Sequence, residues 1–174
     1  MTRNEEQIEK LKLLKNHGIK SEEEVVLPGI NAKMNEFQAV MGLCNLEEID
    51  EKIRLRKKIY KHYKEKLADT PVKFQKIIAS RYNYIYMPVC FEDIKKRDGI
   101  YSELVKNGVK PRKYFYPLTV NFDYFKEKGV NPVEKYGLNV ASDIANRVLC
   151  LPLYPDLEMS AVDNIVNIIK RLAK

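Results

Sequence analysis

The sequence is poor in the side chains that most often carry chemistry. It has three cysteines, two histidines and no tryptophan among 174 residues. Cys44, Cys90 and Cys150 are far apart, flanked by apolar residues, and no Cys-x-x-Cys pair occurs. With His17 and His62 they form no zinc-ligand spacing, so they read as buried free thiols of a reducing compartment. No window approaches the roughly 18 consecutive apolar residues of a membrane span. The N-terminal residues, Met1 to Gln7, are polar, with no apolar signal core behind them, which reads as cytoplasmic. No Ser-His-Asp set or pair of carboxylates stands out, so hydrolase chemistry has no support. Internal repeats and low-complexity tracts are also missing.

What is present is the composition of a globular chain: 45% hydrophobic, 32% charged, mean hydropathy −0.42. A chain of this length buries about 70% of its unfolded surface in one compact domain. The net charge is +7, and its densest source is the stretch Lys52 to Lys66. The same stretch carries Ile49, Ile53, Ile59, Tyr60, Tyr63 and Leu67 at spacings near three and four, so it reads as a long amphipathic helix with a solvated basic face. A basic nucleic-acid-binding domain is the alternative that this charge raises, with weak, salt-sensitive phosphate binding as its signature.

Along the chain, Thr2 to Glu5 has the form of a capping box, and Gly18 stands where a left-handed residue would end the helix that follows. His17 reads as part of that C-terminal cap and His62 as an exposed residue of the long helix. Residues 21–29 read as a surface loop. A short helix is expected over 35–44, ending near Gly42, with Glu36 favouring its N-terminal dipole, and the long helix then runs to about Leu67. Residues 72–75 and 82–91 are aromatic and β-branched, hence strands. A helix over 98–107, a strand over 109–115, one or two short helices within 120–139, a helix over 141–147, a strand over 148–153 and a helix over 160–172 complete the reading. The fold class is α+β: a small, mostly antiparallel sheet covered by helices and preceded by a long helix. The expected organisation is residues 1–45, a connecting helix 46–70 and a small domain 71–174.

Four segments share a pattern. Leu13-Leu-Lys-Asn-His17-Gly18 resembles an Arg-Asn-His-Gly turn. The run Asn31-Ala-Lys-Met-Asn-Glu-Phe-Gln-Ala-Val-Met-Gly-Leu43 resembles an Asn-x-Arg/Lys-Met-x-Glu-x-x-Ala-Ala-x-Gly-Leu stretch. Arg112-Lys-Tyr-Phe-Tyr-Pro-Leu118 and Val148-Leu-Cys-Leu-Pro-Leu-Tyr154 look like a loop and a C-terminal strand of the same proteins. In that order they resemble the DegT/DnrJ/EryC1/StrS sugar aminotransferases over nearly the whole chain.

The resemblance implies the C-terminal part of a fold-type I enzyme dependent on pyridoxal phosphate (PLP), working as a dimer with active sites at the subunit interface. Such enzymes hold PLP through a lysine and move an amino group, usually from glutamate, to a nucleotide-linked keto-sugar. That lysine lies in a Ser-x-x-x-x-Lys segment followed by Gly-Gly, and neither occurs here. The chain is therefore expected to be silent alone, taking PLP only in a complete enzyme or with a complementing N-terminal half. The resemblance places Asn31 at the PLP phosphate of a neighbouring subunit, with Lys33 adding positive charge. Arg112, Lys113, Tyr114 and Tyr116 interleave cations and rings that suit a nucleotide-sugar, Arg112 and Tyr116 being favoured as its polar contacts. A non-catalytic module that pairs with itself or with a separate N-terminal half is the other reading, resting on the apolar faces of the first two helices.

Overall fold

A computed structural model describes residues 2–126 and 132–173. The chain divides into two units, Met1–Glu48 and Ile49–Lys174.

The first unit opens with α1, Glu5–Leu14. Its N-cap is Asn4, whose Oδ1 accepts from the Gln7 amide at 3.1 Å, while Thr2 Oγ1 accepts from the Asn4 amide at 3.2 Å. The expected Thr2–Glu5 box is thus displaced: Thr2 braces the cap instead of being it. The chain then turns through left-handed His17 and Gly18, φ 58° and 76°. A small hairpin, β1 (Ile19–Ser21) against β2 (Glu24–Val25), takes up the first part of the loop expected over 21–29 and the residues just before it. Gly18 makes it possible, because a Cβ there would lie 1.6 Å from the Leu27 carbonyl oxygen.

The two helices expected next are one, α2, Glu36–Lys66, 31 residues long. Asn35 and Gln38 start it reciprocally: the Gln38 amide donates to Asn35 Oδ1 at 2.9 Å and the Asn35 amide to Gln38 Oε1 at 3.1 Å. Gly42 does not end it. A mid-helix glycine costs about 1 kcal/mol, no proline interrupts 36–66, and Asn45 bonds back to the Met41 carbonyl within the helix.

The second unit is built on four antiparallel strands in the order β3-β4-β6-β5: β3 Lys73–Phe74, β4 Met87–Cys90, β5 Arg112–Lys113 and β6 Val148–Leu151. Met87 faces Leu151 and Val89 faces Leu149 across the central pair. These four side chains lie in the core with Ile59, Tyr63 and Leu67 of α2, Ile100 and Leu104 of α3 (Ile94–Lys106), and Val162, Ile165, Val166 and Ile169 of the last helix, Met159–Ala173. The Tyr63 hydroxyl, raised in pKa chiefly by burial, donates to the Pro152 carbonyl at 3.2 Å. The expected α+β class, a small antiparallel sheet under helices, is the one observed.

Its edges differ from expectation. α3 starts four residues before Asp98, because Asp93 caps it by accepting from the Lys96 amide at 2.8 Å. The strand expected over 82–91 shrinks to β4, since left-handed Tyr84 (φ 50°) and the pairing of the Asn83 carbonyl with Arg56 take residues 82–86 out of the ladder. The strand over 109–115 shrinks to β5 before left-handed Phe115. Between 118 and 147 lie a 3-10 turn (Thr119–Asn121) and α4 (Asp123–Lys126), α5 (Pro132–Lys135) and α6 (Asn139–Arg147), so the last helix is α7. Residues 127–131 of the region expected to hold short helices lie outside the described residues.

Candidate functional site

In the first unit, Asn31 is stitched to the turn after α1. It bridges Asn16, the Ile30 amide donates to the Leu14 carbonyl, the His17 amide to the Ile30 carbonyl and the Ala32 amide to the Lys15 carbonyl. This crossing is close enough that a Cβ on Gly29 would lie 2.4 Å from the Gly18 nitrogen. Two segments 13 residues apart in sequence, Gly18 and Asn31, therefore form one backbone structure. The Asn31 side chain is exposed, and Lys33 Nζ donates to Asn16 Oδ1 at 3.0 Å without meeting a carboxylate among the described residues. The result is a held loop presenting a neutral amide and an ammonium.

The second set of expected site residues is divided by the strand pleat. In β5, Arg112 faces Cys150 and Lys113 faces Leu149, so their side chains leave opposite faces of the sheet. Lys113 turns toward α3. Its Nζ lies 2.6 Å from Asp98 Oδ1, 4.8 Å from the Tyr101 ring centre and 5.5 Å from that of Tyr116. Arg97, wholly buried, completes the group: its guanidinium stands 4.5 Å from the Tyr116 ring centre, its Nε 2.7 Å from Asp98 Oδ1, and its Nη1 donates to the Ala145 carbonyl. Arg97 was missed in the sequence. Its signal is position: it falls on the stripe of α3 that carries Ile100 and Leu104, where a cation must find partners.

Arg112 and Tyr114 belong to the other face. The Tyr114 ring packs 5.1 Å from Tyr86 and 4.3 Å from Phe115, and its hydroxyl is pushed up by burial, with Tyr86 adding to the effect. Cys150 nearby is pushed up to about 11 by burial, against which Arg112 acts. Burial raises Cys90 as well, and both thiols stay protonated at neutral pH. The three cysteines are free as expected, but of the three expected to be buried Cys90 is only half-buried and Cys44 is exposed, because the first half of α2 buries none of its side chains. His62 is not the exposed residue expected either: its Nε2 sits 2.6 Å from Asp163 Oδ1 and links α2 to α7. Among the described residues no cluster of metal-ligating groups occurs, and no helix is long and apolar enough to cross a membrane.

The order of helices and strands is that of the C-terminal region of fold-type I aminotransferases. A solved structure of the DesV protein of S. venezuelae superposes with a TM-score of 0.85 at 22% identity, over 100% of this chain and 46% of that one. By sequence the chain belongs to the DegT/DnrJ/EryC1/StrS aminotransferase family, whose pattern matches residues 1–170. It is 39% identical to a dTDP-4-amino-4,6-dideoxy-D-glucose transaminase of Escherichia coli, over 90% of this chain and 43% of that protein. It is 32% identical to a transaminase of the same name from Shigella dysenteriae, over 94% of this chain and 45% of that protein. The chain thus spans less than half the length of the curated relatives it matches.

Proposed function

We propose that this chain is the C-terminal portion of a cytoplasmic, PLP-dependent aminotransferase that aminates a keto-sugar carried on a nucleotide diphosphate, with glutamate as amino donor. The observation that carries the reading is the pinned Asn31 loop within a chain matched along its length to sugar transaminases. The donor set there fits a phosphate: an exposed amide and an ammonium whose recorded partner is the neutral oxygen of Asn16. PLP, when bound, supplies the electron sink for moving an amino group. Asn31 and Lys33 hold and neutralise its phosphate in a neighbouring subunit's site. Arg112 and Tyr114 face the nucleotide-sugar, while Lys113, tied to Asp98, supports the ring of Tyr116 at the same loop. No Ser-x-x-x-x-Lys segment followed by Gly-Gly occurs in the chain, so it is silent alone and works as a homodimer of the complete enzyme or with a separate N-terminal portion.

The test is absorbance of PLP on the chain alone and co-expressed with an upstream portion carrying that lysine. A visible cofactor band with both pieces, lost or weakened in Asn31→Ala, is the expected result. A borohydride-reducible band on this chain alone would refute the assignment of the lysine to the other portion. One observation favours a second reading, a non-catalytic association module: Phe37, Met41, Leu43 and Leu46 of α2 are exposed, Phe37 by 85%. Concentration-dependent association with no cofactor band in either experiment would select it.

A further inference from the structure

We propose that an apolar groove on the outer face of the second unit's sheet is the seat of an amphipathic helix of the upstream portion, one that carries apolar side chains and a carboxylate. The inference rests on the reading of the chain as part of a longer enzyme, and adds to it the surface and the chemistry of the partner. The groove holds about 800 Å³ and is lined by the sheet, by α6 and by the loop that follows β5.

The strand pleat decides which side chains reach it. Met87, Val89, Leu149 and Leu151 point into the core with α2 and α7, so Pro88, Cys90, Val148 and Cys150 leave the opposite face. Lys73 faces Cys90 and Arg112 faces Cys150, which puts both cations on that outer face. α6 turns a matching stripe toward it: Val140, Ala141, Ile144 and Ala145 line the groove at helical spacing. Of that helix only Ala145 is buried. Val140 is 77% exposed, and Phe115 and Ile144 are exposed as well. Gly137 and Ala141 add little bulk to the lining, which leaves room for a helix laid in the groove.

Length and charge choose the occupant. The chain spans 43% and 45% of the two transaminases it is similar to, so more than half of each relative has no counterpart here to cover an apolar face. Two cations mark one end of the groove: Lys73 faces Cys90, and Arg147 Nη1 donates to the Phe91 carbonyl beside it at 3.4 Å. Lys73 has no ion pair among the described residues. The buried Nε of Arg147 has no hydrogen-bond partner there, although Asp143 pairs with its Nη2. A carboxylate on the occupant at that end answers both. A second copy of this chain would instead bring the same two cations and a net charge of +7. Tyr114 and Phe115 also line the groove, so a helix seated there packs against the loop that carries the expected substrate contacts.

The experiment is methyl NMR of the isotope-labelled chain with a neutral gadolinium chelate in solution, alone and combined with the unlabelled upstream portion. In the chain alone the methyls of Val140 and Ile144 should relax fast. In the complex that relaxation should fall severalfold, while Val162 and Ile169 in the core stay protected in both. The double variant Val140→Glu, Ile144→Glu should weaken association about tenfold, with unchanged amide shifts over 148–173 as the check of folding. Lys73→Glu should weaken it as well, and more at low salt than at high salt. Methyls that stay exposed in a complex showing the PLP band overturn the groove and leave the aminotransferase reading standing. Protection of both methyls with no PLP band supports the groove and removes the aminotransferase reading. An upstream portion that does not associate overturns the groove. So does protection in the chain alone: if it rises with concentration a second copy fills the groove, and if it does not a bound small molecule does.

Discussion

Arg97 and Asp98 show how one pair of adjacent residues shapes the loop that carries the expected substrate contacts. A guanidinium with no solvent exposure is tolerated here because Asp98 and the Ala145 carbonyl answer it and the Tyr116 ring covers it. Its Nε and Nη2 have no hydrogen-bond partner among the described residues, Nε meeting Asp98 as an ion pair only, so the group is held by charge and ring contact more than by hydrogen bonding. Asp98 is the acid that both cations share. Its partial burial alone would raise its pKa, but Lys113 and Arg97 outweigh that and hold it below the ordinary carboxylate value. A depressed folded-state pKa means stability that is fully present above the unfolded value, about 4, and is lost as pH falls through the lower folded value. The denaturant midpoint of the chain should therefore drop below about pH 4, and Asp98→Asn should flatten part of that drop while lowering the midpoint at pH 7. An unchanged pH profile in the variant would show that Asp98 contributes nothing to acid sensitivity.

Among the elements, α2 departs furthest from local expectation. Its sequence contains a glycine, Gly42, and a back-bonding asparagine, Asn45, at the point where two helices were expected to meet. The reciprocal cap of Asn35 and Gln38 and the good helix formers downstream carry it through. A Cβ at Gly42 would meet nothing within 4 Å, so Gly42→Ala should stabilise the helix by roughly 0.5–1 kcal/mol. Thermal unfolding followed by far-ultraviolet circular dichroism checks this. A lower midpoint in the variant would mean that the position is packed in solution. The opposite error occurs in the strands, which are shorter than their aromatic runs, because Tyr84 and Phe115 take left-handed conformations that no strand accommodates.

For the whole molecule, the contrast lies between its two units. Among the described residues the buried apolar side chains all belong to the second unit, from Ile59 onward, whereas the first exposes Ile30, Met34, Phe37, Val40, Met41, Leu43 and Leu46. With so little apolar area removed from water, the first unit has little to set against the entropy of ordering its chain. Hydrogen exchange should show strong protection at β4, β6 and α7 and fast exchange over α1, the hairpin and the first turns of α2. On the reading proposed above, adding an upstream portion should slow the latter. Protection of the first unit equal to that of the second, in the chain alone, would contradict this.

The class of fold, the family and the family-like segments are legible in the amino-acid order alone, because these reside in local periodicity and in short ordered motifs. The inner face of α7 and the strand Val148–Leu151 were readable for the same reason: their apolar spacing is local. Which residues meet follows only from packing in three dimensions. The pleat of β5 sends Arg112 and Lys113 to opposite faces, a close backbone crossing joins Gly18 and Gly29, and α7 brings Asp163 to His62. Helix and strand patterns fix which way a side chain points along its own element. Partners separated by 101 residues, as His62 and Asp163 are, are chosen only when the core packs.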